Sequence, residues 1–385
     1  MSRFLIACGG TGGHLAPGIA LAEELDRRGH RILLVVSNKK VDARLMQAYP
    51  HLAYATIAGQ GLSFHPARFP GFLWQSLKGV LQAWKLIGRE KPDSLIAFGG
   101  WTSLALVPVA AVRDVAIVLH EANRKPGKAT KVFRRLATRI YLPSGMRLRG
   151  VAPGLIRHPG YPVRKEVRRF SREKARQRLG LQPSGKWLMV LGGSQGAQVL
   201  NDWVVEHFER LGSQGINVYC ITGMGKGVHG SLKTQAADGT PSVAHFVPFS
   251  DAMGEVMSAA DLVIARAGAG TLAELAHCRA PAILVPYPYA TDNHQLANAR
   301  FIEQQAGAVV LNQTALTDLY AEVEDLVFND WLLKTFRRNL ACIDNPSVAA
   351  EIADDLEYLL RVASEPEAAR VTQRHKRSDV SALAS

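Results

Sequence analysis

Apolar residues occur in short runs along most of the chain, and helix-like segments separate one run from the next. In the first part, the predicted strands cover residues 3–8, 31–36, 95–98, 115–119 and 139–142. A helix over about residues 17–28, which Gly29 ends, follows the first strand. Alternation of this kind is typical of βα units, so the sequence predicts parallel sheets with helices on both faces.

The alternation stops after Leu142 and then begins again. Four prolines stand among glycines in this interruption: Pro143, Pro153, Pro159 and Pro162. A helix over residues 171–179 follows, and the second series of predicted strands covers residues 187–191, 218–221, 243–247, 262–265 and 282–285. We therefore predict an α/β protein with two doubly wound, Rossmann-like domains that face a cleft.

The predicted domains cover residues 1–163 and residues 164–344. Residues 345–362 carry apolar side chains at helical spacing and are predicted to form a closing helix. Residues 363–385 have almost no large apolar side chain, so we expect a disordered tail.

The composition supports a soluble, globular class. Of the 385 residues 47% are hydrophobic and 21% charged, which excludes collagen-like, coiled-coil and wholly disordered chains. The four cysteines show no metal-ligand spacing, and a reduced, cytosolic protein is expected. No signal peptide is expected, and the uncharged stretch 94–112 contains glycines and a proline, so it is interpreted as a strand, a turn and a helix.

The positive charge is concentrated in one part of the chain. Residues 124–178 contain eighteen Lys and Arg but only Glu166 and Glu173 as acids, whereas the whole chain has a net charge of +13. A local basic face predicts an anionic partner: nucleic acid, an anionic membrane surface or a phosphorylated substrate. Nucleic acid is not favoured, because the chain has neither zinc-finger spacing nor an aromatic-rich RNA-binding strand.

Both predicted domains have a glycine cluster directly after their first strand. GGTGGH covers residues 9–14 and GGSQGA covers residues 192–197. Glycine allows a sharp turn and close approach of a ligand, and the helix that follows offers free N–H groups to an anion. Each cluster alone could be only a tight turn. Neither is a GxxxxGK[ST] loop, so kinase or ATPase chemistry is not expected.

A third glycine segment, GAGTLA at residues 268–273, precedes Glu274 and the polar segment DNHQLANA at residues 292–299. The GxGxxA spacing alone would suggest a nicotinamide dinucleotide, but it occurs late in the second domain. Glu274 could interact with the helix dipole or with a ligand hydroxyl pair. The polar segment could cap a helix or bind a sugar. The chain has no Asp-x-Asp pair, so a metal ion is not required, and Arg164 or Arg266 could neutralise a diphosphate.

Taken together, these motifs resemble the MurG family of N-acetylglucosaminyltransferases. The resemblance rests on GGTGGH, HEAN at 120–123, GYPVR at 160–164, GGSQGA, FSDAM at 249–253, RAGAGTLAE at 266–274 and DNHQ at 292–295. It extends in order from about residue 3 to residue 362. Ala122 and Ala267 depart from the family, which usually has Gln and Ser there.

The resemblance implies a GT-B glycosyltransferase fold and two substrates. UDP-N-acetylglucosamine is expected in the second domain, and a polyprenyl-diphosphate-linked muramoylpentapeptide in the first. The residues implied to bind them are Thr11, Gly12, Gly13, His14, Asn123, Arg164, Ser194, Gln195, Ser250, Arg266, Ala269, Gly270, Thr271, Glu274, His294 and Gln295.

The family pattern also implies individual roles. Glu274 would hold the ribose hydroxyls, the backbone near Ser250 would contact the uracil, and Arg164, Ser194 and residues 269–271 would contact the diphosphate. Asn123, His294 and Gln295 would contact the N-acetylglucosamine. No metal ion or other cofactor is expected.

The implied reaction is a single inverting displacement, in which the muramoyl 4-hydroxyl attacks the anomeric carbon and UDP departs. His14 is the first candidate for the catalytic base, and Glu121 is the second. A helix N-cap contact is the alternative interpretation of His14. Another GT-B enzyme acting on a glycolipid or sugar nucleotide, a dinucleotide oxidoreductase and a non-enzymatic membrane-binding protein remain as alternative functions.

A lipid acceptor predicts a peripheral enzyme on the cytoplasmic face of the plasma membrane. Residues 64–89 contain a helical apolar stripe that includes Trp74, with aromatic residues before or at its start. The simplest interpretation of this stripe is a face that covers the first sheet. We nevertheless predict that Phe69, Phe72 and Trp74 insert at the surface of an anionic bilayer.

Overall fold

The computed structural model describes residues 1–10, 12–59, 69–193, 196–225 and 228–364, apart from the side chains at positions 40, 41, 69, 70, 72 and 73. Within these ranges the chain forms two seven-stranded sheets. Each sheet has a buried apolar cluster on both of its faces. This is the predicted arrangement of two doubly wound α/β domains.

The first sheet is entirely parallel, in the order β3-β2-β1-β4-β5-β6-β7. Its strands are β1 (Arg3–Ala7), β2 (Arg31–Val36), β3 (Tyr54–Thr56), β4 (Ser94–Ala97), β5 (Ala116–His120), β6 (Arg139–Tyr141) and β7 (Ile156–Arg157). The central strands β1 and β4 are almost wholly buried, because helices cover both faces.

Five helices belong to the first sheet: α1 (Gly12–Arg27), α2 (Lys40–Gln47), α3 (Phe69–Glu90), α4 (Gly100–Val112) and α5 (Lys128–Phe133). Helix α1 begins five residues before the predicted start, so the end of the glycine cluster forms its first turn. Strand β4 and helix α4 confirm the interpretation of the uncharged stretch as a strand, a turn and a helix. No helix in the described ranges is both long and apolar enough to span a bilayer.

The second sheet has the order β10-β11-β9-β8-β12-β13-β14, and only the edge strand β10 is antiparallel to its neighbour. Its strands are β8 (Lys186–Leu191), β9 (Ile216–Ile221), β10 (Gly230–Gln235), β11 (Pro241–Val247), β12 (Leu262–Ala265), β13 (Ala282–Leu284) and β14 (Ala308–Val310).

Among the described residues, eight α-helices follow β7 in chain order: α6 (Arg172–Arg178), α7 (Gln198–Ser213), α8 (Met253–Ala259), α9 (Ala269–Cys278), α10 (His294–Gln304), α11 (Leu319–Val327), α12 (Asp330–Ile343) and α13 (Val348–Ser364). The predicted closing helix over residues 345–362 is α13, which begins three residues later and ends two residues later than expected. The rest of the predicted tail, residues 365–385, lies outside the described residues.

The apolar stripe on α3 does not form one buried face. Ala83, Leu86 and Ile87 are buried in the core of the first domain. In contrast, four large apolar side chains on the same helix are exposed: Trp74 (58%), Leu77 (51%), Leu81 (55%) and Trp84 (45%). The interpretation of the stripe as a face that covers the sheet is therefore wrong for these four residues.

The basic segment 124–178 does not form one basic face either, because several of its arginines pair with acids elsewhere in the chain. Arg172 and Arg176 each lie 2.7 Å from the buried Asp261. Arg178 lies 2.7 Å from Glu255. These pairs hold helices α6 and α8 in place, so the count of charges overstates the surface that is available to an anionic partner.

Helix α13 returns from the second domain and packs on the first. Val348, Ile352 and Leu356 are buried in the same apolar cluster as β1. On this helix the Asp355 carboxylate accepts a hydrogen bond from the Tyr141 hydroxyl at 2.9 Å and lies 2.8 Å from Arg139 Nε. The two domains are thus joined by the chain crossing after β7 and again by α13.

Asp355→Asn should lower the free energy of unfolding by about 3–5 kcal/mol, since it leaves the buried Arg139 guanidinium without its anion. Urea denaturation measures this change. The neighbouring Asp354→Asn is the matched control: its carboxylate is 69% exposed and pairs with Arg28, so the expected loss is about 0–1 kcal/mol. Equal losses in the two variants would contradict the proposed role of Asp355.

Candidate active site

The first glycine cluster is held by a buried carboxylate. Asp42 Oδ2 accepts hydrogen bonds from Gly10 N at 2.9 Å, Ser37 N at 3.1 Å and Ser37 Oγ at 2.5 Å. Lys39 Nζ donates to Gly10 O at 2.7 Å. These contacts connect the loop after β2 to the loop after β1, which positions the start of α1. Sequence reasoning missed Asp42 and Lys39, although both follow a strand end that borders the cleft.

His14 lies in the first turn of α1 and packs against the turn between β4 and α4. A Cβ added to Gly99 would lie 3.2 Å from His14 Nε2, and one added to Gly100 would lie 3.3 Å from Nδ1. Both glycines also have positive φ angles, 103° and 74°. Burial lowers the pKa of the His14 imidazole, while Glu121 and Asp42 oppose that shift. The result favours a neutral ring that can accept a proton.

Glu121 shapes the loop that follows β5. Its Oε1 accepts hydrogen bonds from Asn123 N and Nδ2, at 3.0 and 3.2 Å. Its Oε2 accepts from Gly127 N at 2.6 Å and from Thr130 Oγ1 at 2.9 Å. Both carboxylate oxygens are therefore occupied in holding the backbone.

The side chain of Asn298 links the two domains. Its Nδ2 donates to Asn123 Oδ1 at 3.0 Å and to Ala267 O at 3.2 Å, and its Oδ1 accepts from Arg124 N at 2.9 Å. Sequence reasoning noted the polar segment that contains Asn298 but did not assign this residue to the site. A second link on the same side is the 2.6 Å ion pair of Lys131 and Asp292.

Helix α9 begins at Ala269, directly after Gly268. Gly270 and Thr271 complete its first turn, and Glu274 follows one turn later. The Glu274 side chain is only 15% exposed, and its Oε1 lies 3.9 Å from Arg164 Nη2. Burial raises the pKa of the Glu274 carboxyl, and the positive charge of Arg164 opposes that shift.

Ser250 follows β11, and its Oγ accepts a hydrogen bond from Ala252 N at 3.2 Å. Across the cleft, the Arg44 guanidinium of α2 lies 4.3 Å from the centre of the Phe249 ring. The loop that was predicted to contact uracil is therefore bordered by a residue of the first domain. Sequence reasoning did not identify Arg44.

His294 and Gln295 are the first two residues of α10. The preceding Asp292 and Asn293 both have left-handed backbone conformations, with φ of 54° and 53°. Gln295 Oε1 accepts a hydrogen bond from Tyr287 N at 2.9 Å, and His294 Nδ1 lies 2.8 Å from Thr291 O. The His294 ring is near enough to His14 to lower the pKa of His14.

Arg266 is buried against the end of β13. Its Nη1 donates to Val285 O at 3.0 Å, and its Nη2 donates to Gln313 Oε1 at 2.6 Å. The guanidinium holds two loops together in this way, and its contact with a diphosphate stays a prediction. Thr11, Ser194 and Gln195 lie outside the described residues, so their predicted contacts stay predictions as well.

Comparisons with known proteins identify both halves of the chain. The model of the glycosyltransferase family 28 N-terminal domain matches residues 4–142, and that of the family 28 C-terminal domain matches residues 187–349. A crystal structure of Acinetobacter baumannii MurG is similar in fold, with a TM-score of 0.69 and 21% identity over 92% of this chain and 99% of that one. The calicheamicin glycosyltransferase CalG4 has a TM-score of 0.67 at 15% identity, over 95% of this chain and 100% of that one.

Two curated relatives share the name UDP-N-acetylglucosamine–N-acetylmuramyl-(pentapeptide) pyrophosphoryl-undecaprenol N-acetylglucosamine transferase. The protein from Opitutus terrae is 48% identical over 94% of this chain and 96% of its own length. The protein from Symbiobacterium thermophilum is 34% identical over 96% of this chain and 99% of its own length. The chain therefore belongs to glycosyltransferase family 28, and within it to the MurG family.

Proposed function

We infer that this chain transfers N-acetylglucosamine from UDP-N-acetylglucosamine to the 4-hydroxyl of the muramoyl sugar in a polyprenyl-diphosphate-linked muramoylpentapeptide. The observation that carries this proposal is the 48% identity to the Opitutus terrae transferase over nearly the whole chain. The product would be lipid II, the disaccharide precursor of peptidoglycan, which would connect the enzyme to cell shape and cell division.

The proposed donor site lies in the second domain. The start of α9 supplies free N–H groups and a positive dipole end, which suit the diphosphate of the donor. Arg164 adds a fixed positive charge beside this site, so no metal ion is needed to neutralise the diphosphate. Glu274 would accept hydrogen bonds from the two ribose hydroxyls, and the backbone near Ser250 would contact the uracil.

The proposed acceptor site faces His14. The 4-hydroxyl oxygen forms a bond to the anomeric carbon, the bond from that carbon to the diphosphate oxygen breaks, and UDP departs with the electron pair. His14 accepts the hydroxyl proton, because a neutral imidazole in the cleft is the better base. Glu121 is the weaker candidate, since both of its oxygens already accept hydrogen bonds from the loop.

The proposed membrane surface consists of the exposed side chains Trp74, Leu77, Leu81 and Trp84 on α3. Two cations lie over its tryptophan rings: Lys78 Nζ is 5.2 Å from the centre of Trp74, and the Arg113 guanidinium is 4.2 Å from the centre of Trp84. Apolar side chains with adjacent cations suit the surface of an anionic bilayer. Binding there would keep the enzyme peripheral, on the cytoplasmic face of the plasma membrane. The side chains of Phe69 and Phe72 lie outside the described part, so their insertion stays a prediction.

Glu274→Ala should weaken UDP binding about tenfold or more, because hydrogen bonds to a carboxylate contribute about 1.5–3 kcal/mol each. Isothermal titration calorimetry with UDP measures this. Glu255→Ala is the matched control, since its carboxylate is in the same domain but pairs with Arg178 instead of Arg164. A UDP dissociation constant equal to that of the parent in the Glu274 variant would refute the ribose contact.

His14→Ala should lower kcat by about 10²- to 10⁴-fold with little change in UDP affinity. In the parent, kcat should fall as His14 becomes protonated. Because burial lowers the pKa of His14, this fall should occur below about pH 6.5, the usual pKa of histidine. The profile of kcat against pH measures both effects.

Glu121→Ala is the comparison for His14. It loosens the loop and lowers kcat, but it should keep the acidic fall in the pH profile, which the His14 variant loses. A Glu121 variant without that fall, beside a His14 variant that retains it, would reverse the assignment of the base.

The double variant Trp74→Ser, Leu81→Ser should bind anionic vesicles about tenfold or more weakly, since burial of each large apolar side chain contributes about 1.5–3 kcal/mol. Vesicle co-sedimentation at two salt concentrations measures this, and the binding of the parent should weaken with salt. Trp331→Ser is the control, because Trp331 is 75% exposed on the other domain. Salt-independent binding that the double variant leaves unchanged would refute this surface.

A further inference from the structure

Tyr161 lies between the starts of two helices that belong to different domains. Its hydroxyl donates a hydrogen bond to Gly13 O, in the first turn of α1, at 3.2 Å. A Cβ added to Gly270, in the first turn of α9, would lie 2.7 Å from the same oxygen atom. The Tyr161 hydroxyl therefore touches the acceptor-side helix and the donor-side helix at once.

The Gly13 carbonyl is available because of Pro17. In a regular helix, the carbonyl of Gly13 would accept a hydrogen bond from the N–H group of the residue four positions later. That residue is Pro17, which lies inside α1 and has no N–H group. The Tyr161 hydroxyl, from the segment between the domains, supplies the missing donor.

The absence of a side chain at Gly270 is what lets Tyr161 approach α9. The added Cβ would also lie 3.2 Å from Tyr161 Cζ, so the ring as well as the hydroxyl occupies the space that any other residue would need. Gly270 has an ordinary helical backbone without positive φ. Its contact with Tyr161 is therefore a steric reason for glycine at this position.

The backbone before Tyr161 is fixed by His120 at the end of β5. His120 Nε2 lies 3.0 Å from Gly160 O and donates to it, and Gly160 has a φ of 107°. The rings of His120 and Tyr161 lie 6.4 Å apart in an edge-to-face arrangement. Burial raises the pKa of the Tyr161 hydroxyl, and the nearby Glu274 carboxylate raises it further. The hydroxyl thus remains a proton donor across the working pH range.

We propose that Tyr161 is a positioning residue for the transfer reaction, whose hydroxyl holds the first turn of α1 against the first turn of α9. His14 is the residue after Gly13, so this contact sets where the base lies relative to a donor bound at α9. The inference rests on the proposed function, and it adds a residue that touches neither reacting atom.

Tyr161→Phe tests the proposal because it removes only the oxygen atom. The expected result is a fall in kcat of about tenfold, with the KM for UDP-N-acetylglucosamine and the dissociation constant of UDP each within about twofold of the parent. Tyr141→Phe is the matched control. It also removes one buried hydroxyl bond, that from β6 to Asp355 of α13, and should lower the melting temperature without changing kcat.

A double-variant cycle with Gly270→Ala tests the contact itself. In the parent background, the added methyl group collides with the Tyr161 hydroxyl and should lower kcat. In the Tyr161→Phe background the oxygen atom is gone, so the same substitution should cost at least about threefold less in kcat. Non-additivity of this kind is not expected for two residues that act only on folding stability.

Any of three results would overturn the proposal. The first is a Tyr161→Phe variant with unchanged kcat, and the second is a variant in which kcat, UDP affinity and melting temperature all fall together. The third is an equal loss of kcat on Gly270→Ala in the parent and in the Tyr161→Phe background. These outcomes are distinct from failure of the proposed function. If the proposed function were wrong, the parent protein itself would not transfer N-acetylglucosamine, so there would be no kcat to compare between parent and variants.

Discussion

Two helix starts, those of α1 and α9, meet at the Tyr161 hydroxyl, and the backbone dipole of each helix places a partial positive charge there. Like charges at such close range must be balanced. Asp42 accepts the Gly10 N–H group on one side, and Glu274 lies one turn into α9 on the other. The diphosphate of the proposed donor would complete the balance at this place. The two helix starts are therefore the electrostatic reason for proposing an anionic donor here.

The rest of the molecule keeps these two helix starts in register. Helix α13 packs on the first domain through Val348, Ile352 and Leu356 although it follows the second domain in the chain. Asn298 joins the two domains on the acceptor side through Asn123, Ala267 and Arg124. The α13 contact is apolar, whereas the Asn298 contacts are hydrogen bonds, so burial and directional bonds both fix how the domains lie. Small shifts between the domains would change the distance from His14 to the donor directly.

The sequence predicted the buried strands well and the edges of the sheets poorly. Strands β2 and β12 have the predicted bounds, since continuous apolar runs identify strands that are covered on both faces. Strands β3, β7 and β14 are only two or three residues long, which is too short for a periodic pattern, and β10 is an exposed hairpin strand. On α3 the periodicity could not separate the buried face from the exposed one, because both faces are apolar.

The candidate site likewise divides into residues that local sequence motifs predict and residues that only the fold brings together. The glycine clusters, Glu274 and the DNHQ segment are local motifs, so the sequence identified them. Asp42, Asn298 and Tyr161 each bind a partner that is distant in the chain: Gly10 at 32 positions, Asn123 at 175 and Gly13 at 148. Only the fold brings these residues together. A single sequence contains no record of such pairs. Pro17 was noted only as the start of a helix, although its missing N–H group is what leaves Gly13 open to Tyr161.

The most direct test of this account is a transfer assay with UDP-N-acetylglucosamine and a short-chain polyprenyl-diphosphate muramoylpentapeptide, without added metal. Mass spectrometry of the lipid and quantification of UDP measure the two products together. The account predicts one N-acetylglucosamine added to each acceptor molecule that reacts, with one UDP released for each transfer. Release of UDP without a glycosylated lipid, or transfer only to a different acceptor, would contradict it.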